Sequence, residues 1–141
     1  MADNKSVTDP VAEIAERALR KTSIVRVDGF AATADRFIFV APYDCRIDAV
    51  SLVSDTGVAA NDTNYYGFQV QNLTQSAALL SSAKTTQATG GEAISADTPF
   101  AIAPDQNQVI SDGDVLELQI TETGTATSLT AAQIVVAVEY T

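Results

Sequence analysis

The chain has 141 residues and a formal net charge of −10, with no His, no Trp and one Cys. The absence of His removes Ser-His and Cys-His catalytic pairs and imidazole metal sites. A single Cys removes an internal disulfide framework and any Cys-rich zinc site. The length fits one domain that buries roughly 70% of the surface of its unfolded chain.

Residues 1–8 are polar and aperiodic. Asp9-Pro10 then reads as a helix start, with Asp capping free amides and Pro in the first turn. Val11, Ile14, Ala15, Ala18 and Leu19 follow at helical spacing on one face. Glu13 stands four residues before Arg17, and Glu16 four before Arg20. The pattern predicts a short amphipathic helix over 10–21, too short to be stable without a surface to lie on. That surface is either an open end of the chain's own β domain or a partner. The arm and helix, 1–22, are expected to precede a β domain over 23–141.

From residue 23 the period changes to two. Val25 and Val27 alternate with Arg26 and Asp28, and Gly29 ends the strand. Phe37-Ile38-Phe39-Val40 is apolar at every position and predicts a strand buried between layers. Residues 46–54 form the next strand, whose alternation slips phase between Ala49 and Val50, the mark of a bulge. Residues 55–64 are a loop rich in turn formers.

Tyr66, Phe68 and Val70 then alternate with Gly67, Gln69 and Gln71. Residues 77–86 read as a strand flanked by Ser and Thr, and Pro99–Ala103 as a short one. Val109-Ile110 leads into the Asp112-Gly113-Asp114 turn. Leu116, Leu118 and Ile120 alternate with Glu117, Gln119 and Thr121; Ile134, Val136, Val138 and Tyr140 form the last strand. About eight strands with turn signals every 8–12 residues predict an all-β, antiparallel sandwich or barrel. Abundant Val, Ile and Thr suit pleated surfaces.

Charge is uneven. Residues 1–46 hold seven basic and seven acidic residues, while 47–141 hold Lys84 alone against eleven acidic residues. An acidic body repels phosphate backbones and anionic lipid, so neither nucleic acid nor membrane is an expected partner. No apolar run approaches the ~20 residues that span a bilayer. The first residues lack a secretory pattern, so synthesis in a cytoplasm is expected.

Asp112-Gly-Asp114 and Asn61-Asp-Thr-Asn64 are oxygen-rich but lack the spacing of the helical calcium loop, and read as turns. Asp112/Asp114 and Glu117/Glu122 are the candidate carboxylate pairs for glycoside hydrolysis, yet the chain lacks Trp platforms, so no enzyme is expected. No P-loop or dinucleotide fingerprint is present, and no cofactor or metal is expected. Cys45 beside Arg46 reads as a buried, inert thiol.

Three stretches carry a resemblance. Phe39-Val-Ala-Pro42 with Ile47-Asp-Ala-Val50-Ser-Leu is the first. Ala60-Asn-Asp-Thr-Asn-Tyr65-Tyr-Gly-Phe-Gln-Val70-Gln-Asn is the second. The third is Ile110-Ser-Asp-Gly-Asp-Val-Leu-Glu-Leu-Gln-Ile120 with Thr123-Gly-Thr and the valine-rich end. Together, over residues 36–141, they resemble the capsid decoration ("cement") and head-fibre-base proteins of tailed bacteriophages. These are fold-pattern motifs without a catalytic signature. The resemblance implies a jelly-roll-like sandwich and a structural virion protein on the capsid exterior. It further implies a homotrimer clamping the major capsid protein across capsomer seams.

The resemblance stops short of the N-terminal third, where docking is expected from the residues: Val11, Ile14, Arg17, Ala18, Arg20, Lys21 and Arg26. A lectin-like sandwich, with a sugar or Ca²⁺ site made by the Asn61–Asn64 and Asp112–Asp114 loops, is the competing expectation.

Overall fold

The structure is a computed structural model, and it describes residues 19–141. Ten strands follow in order: β1 (Lys21–Val27), β2 (Ala34–Val40), β3 (Cys45–Ser54), β4 (Tyr65–Asn72), β5 (Ala77–Ala78), β6 (Lys84–Thr85), β7 (Phe100–Ala101), β8 (Val109–Ile110), β9 (Val115–Thr123) and β10 (Ile134–Tyr140). They form two antiparallel sheets. One has the order β1-β10-β3-β7, with β8 also on β3; the other has the order β2-β9-β4-β5, with β6 also on β4. The expected all-β antiparallel sandwich is the observed architecture. Ten strands fill eight positions, because β5 and β6 share one edge of β4 while β7 and β8 share one edge of β3.

The sandwich forms because the inward residues of each strand are large and apolar. Leu116, Leu118 and Ile120 of β9 face Ile134, Val136 and Val138 of β10 across the core, and all six are fully buried. Phe68 of β4 packs edge-on against Phe100 at 5.6 Å. Phe30, from the β1–β2 connection, meets the Tyr66 ring at 5.0 Å and 89°. Burying such side chains contributes about 1.5–3 kcal/mol each.

Three expectations are corrected. Lys21, expected to end the helix, is the first residue of β1, paired with Tyr140, and Thr22 pairs with Glu139. β10 offers backbone groups as far as Tyr140, so β1 begins at Lys21. The remainder of the expected helix lies outside the described residues but for Leu19 and Arg20, and the described residues do not support it.

Next, 37–40 is not buried on both faces. β2 is an edge strand with a bulge at Ile38, since Phe37 pairs with Glu117 and Phe39 with Leu116. The extra residue turns Ile38 and Phe39 inward together and leaves Phe37 and Val40 outside. Lastly, 77–86 is not one strand. Between its two short pieces the Gln69 side chain replaces the ladder: its Oε1 accepts from Leu80 N and its Nε2 donates to Leu80 O, both at 3.0 Å.

The phase slip in 46–54 is a bulge at Asp48, with Glu139 opposite Ala49 and Tyr140 opposite Ile47.

Candidate docking surface

The two outward faces of the sandwich differ. On the β4–β9 sheet, Gln71 stands opposite Glu117, Gln69 opposite Gln119 and Tyr65 opposite Thr123. This face is a polar ladder, partly satisfied within itself: Gln119 Nε2 donates to Glu117 Oε1 at 3.2 Å and Gln69 bonds Leu80. On the β1–β10–β3 sheet the outward rows are Arg26–Val135–Val53, Ile24–Ala137–Ser51 and Thr22–Glu139–Ala49. This face is largely aliphatic, because β10 is apolar at both parities from Ile134 to Val138. A strand of that composition belongs between two covered faces, yet one of its faces has no cover among the described residues.

Exposed apolar side chains gather at one side. Among the described residues eight large ones are exposed, and six lie at the β1–β2 edge of the sandwich: Ile24 and Val135 on the outer face of one sheet, Phe37 and Val40 on the outer face of the other, and Leu19 and Tyr43 by the start of β1 and its neighbour Tyr140. β1 and β2 are the edge strands of the two sheets here. Arg36 of β2 spans the gap between them, donating from Nε to Asp28 O at 3.0 Å and from Nη2 to Gly29 O at 2.8 Å. At the start of β1 the Tyr140 ring touches Phe39 at 4.9 Å and Tyr43 at 6.1 Å.

Three residues of the expected docking set are placed here. Arg20 and Lys21 line a shallow cleft of about 550 Å³ with Thr22, Asp48, Glu139 and Tyr140. Arg26 stands outward near the other end of β1, about 17 Å along the strand from Lys21. They therefore bracket Ile24 and do not converge on one point. Val11, Ile14, Arg17 and Ala18 lie outside the described residues. Ile24, Phe37, Val40 and Val135 escaped the sequence reading. The signal was present in β10, whose apolar run ignores alternation.

The rest of the surface is acidic. Lys84, the one basic residue after Arg46, is engaged: its Nζ lies 3.2 Å from Glu92 and 5.3 Å from the Phe100 ring centroid. The described residues up to 46 carry five basic side chains against three acidic ones.

The competing loops are committed to structure. Asn61 Oδ1 accepts from the backbone of Thr63 and Asn64, and Asn64 Oδ1 accepts from Thr125 N. Asp62 accepts from Thr89 N and Oγ1, which lowers its pKa. Asp114 is buried and accepts from Asn72 Nδ2 at 2.8 Å, Ser111 N at 2.9 Å and Gln75 Nε2 at 3.3 Å. These donors, Asn72 foremost, hold its carboxyl below the usual range.

The register Tyr65↔Thr123 to Asn72↔Leu116 puts the Asn61–Asn64 and Asp112–Asp114 loops at opposite ends of the sandwich, roughly 25 Å apart. They do not form one site. Among the described residues no three His, Cys, Asp or Glu side chains converge on a metal-sized position. Cys45 is buried and its thiol pKa is raised, by desolvation first and then by Asp44, Asp114 and Asp48. No protein-family model matches the chain, and no match is found among curated proteins or solved structures.

Proposed function

We propose that the chain is a capsid decoration (cement) protein of a tailed bacteriophage, a structural virion protein and not an enzyme. On this reading it is made in the host bacterial cytoplasm. It sits as a homotrimer on the capsid exterior and holds neighbouring copies of the major capsid protein together across capsomer seams. The observation that carries this is the two-sided surface. The β1–β2 edge, with Ile24, Arg26 and Val135 facing out of one sheet and Phe37 and Val40 out of the other, carries most of the exposed large apolar groups among the described residues, while the rest of the body is polar and acidic. Such a surface fits association on one side, between copies and with the shell they sit on, and solvent on the other.

The strand order also supports the finer, jelly-roll reading. β1-β10-β3-β7 against β2-β9-β4-β5 is an eight-position, two-sheet arrangement with late strands threaded between early ones. Attachment would stabilise a head by mass action: at a free concentration 100 times Kd each occupied site contributes about 2.7 kcal/mol.

The test is co-sedimentation with undecorated heads. Removing residues 1–18, or reversing Arg20, Lys21 and Arg26 to Glu, is expected to abolish binding while circular dichroism reports an intact sandwich. Full occupancy by both variants overturns the docking role. Heads without the protein are expected to release DNA at lower temperature, and identical release profiles overturn the cementing role.

A further inference from the structure

We infer that the open side of the sandwich, formed by edge strands β1 and β2, is the contact between copies of this chain. Ile24 of one copy packs against Phe37 of the next, and Arg26 of one faces Asp35 of the next. The inference deepens the reading above and rests on it only for the number of copies.

Four observations converge. Ile24 and Phe37 are each 69% exposed, and large apolar groups left exposed together mark interaction sites. Each is flanked by further exposed apolar groups, Val135 beside β1 and Val40 at the end of β2. The edges of β1 and β2 that face this side have no partner strand among the described residues.

The two strands also match. They run in opposite directions in one copy, joined by residues 28–33. Rotation about an axis along the strands brings β1 of one copy beside β2 of the next, antiparallel. Placing Ile24 opposite Phe37 in that arrangement sets Arg26 opposite Asp35, because 24 with 37 and 26 with 35 fall in one register. Both pairs precede the bulge at Ile38, so the regular part of β2 suffices.

The occupant is a second copy for reasons of charge. Residues 47–141 carry the whole −10, so copies approaching elsewhere repel. The β1–β2 side holds more basic than acidic side chains and supplies both members of the Arg26–Asp35 pair. A β1-to-β2 contact is head-to-tail, and a rotation of a third of a turn about an axis along the strands closes it into a ring of three. Arg36 blunts this edge where β1 has ended and β2 begins: its guanidinium occupies the carbonyls of Asp28, Gly29 and Asp35. The contact runs through the outward side chains.

The test uses the full chain. Sedimentation velocity is expected to show an oligomer that Phe37→Glu and Ile24→Lys each reduce to the mass of a single chain, 14.8 kDa. Both positions are exposed, so both variants are expected to keep the parent's circular dichroism spectrum. Arg26→Asp and Asp35→Arg are each expected to weaken association at least tenfold, and the double variant to restore it. In a mixture of Ile24→Cys and Phe37→Cys proteins, oxidation is expected to link the two different chains, while Cys45 stays buried and unlinked.

A monomeric parent overturns the inference, as does an oligomer indifferent to Phe37→Glu and Ile24→Lys, or self-linking by Ile24→Cys alone. A monomer that still binds heads refutes this contact and keeps the decoration reading. An oligomer held this way that ignores heads does the reverse.

Discussion

Replacing Asp114 by Asn keeps the shape of the side chain and removes its charge. Asp114 is 2% exposed, and its Oδ2 receives Asn72 Nδ2 at 2.8 Å and Ser111 N at 2.9 Å. Asn72 is equally buried, so its amide has no water to turn to. A hydrogen bond to a charged acceptor contributes about 1.5–3 kcal/mol. The introduced amide would keep one acceptor oxygen and set an NH₂ group against a donor. With the oxygen kept at the Oδ2 position, the bonds from Asn72 and Ser111 both lose their charged acceptor and the one from Gln75 Nε2 is lost, for a cost of about 2 kcal/mol at pH 7. With a urea m-value of about 1.5–2 kcal/mol/M at this size, the unfolding midpoint falls by about 1 M.

The pH dependence supplies a second reading of the same variant. The folded-state pKa of Asp114 lies below its unfolded value. Its contribution is then complete above the unfolded pKa of about 3.9 and is lost as pH falls through the lower, folded value. The gap between parent and Asp114→Asn is thus expected to be wide at pH 7 and to close towards pH 2. Urea titrations at pH 7, 5, 4 and 3 measure it. A gap below about 0.5 kcal/mol at pH 7, or one that does not narrow on acidification, would refute the charge-based reasoning.

Other outcomes are expected elsewhere. Tyr66→Phe removes the bond from Tyr66 Oη to Thr127 O at 2.9 Å and should cost about 1 kcal/mol in the same urea assay. Gly124 has φ +68°, and a Cβ there would overlap Asn64 Oδ1 and Thr63 O. Gly113 has φ +82° and open space around it. Gly124→Ala should therefore cost more than about 2 kcal/mol and Gly113→Ala about 1 kcal/mol, compared by thermal melts. Cys45, buried with a raised thiol pKa, should resist an aromatic disulfide reagent at pH 8 until denaturant unfolds the chain.

The sandwich was legible wherever one face of a strand is wet. β4 and β9 alternate cleanly because their outer faces carry Gln, Glu and Thr against water. The slip in β3 was also readable, since an extra residue must break the period, and Asp48 breaks it. Sequence failed where tertiary pairing decides. Phe37-Ile38-Phe39-Val40 has no period to read, and only the bulge against β9 sends two of these residues inward and two outward. Leu79 and Leu80 are buried like a core strand, but a glutamine side chain takes over their backbone bonds.

The docking surface was half visible. Arg20, Lys21 and Arg26 stood out as charges in a neutral stretch. Ile24 looked like an ordinary strand residue, because its significance lies in β1 being an edge. Phe37 carried the opposite error, read as core when it faces solvent.

In each sheet a strand from late in the chain lies between two early ones: β10 between β1 and β3, and β9 between β2 and β4. During synthesis the early strands leave the ribosome without the neighbours that will join them. Their apolar inner faces wait for residues 115–140 before either sheet can close. Closure then depends on contacts distant in sequence, which makes folding slow relative to local helical folds. Until then the nascent chain exposes sheet edges to its neighbours on the same message. Eight of the eleven carboxylates that follow residue 46 precede residue 115, so the half-made chains already carry like charge that holds them apart while they wait.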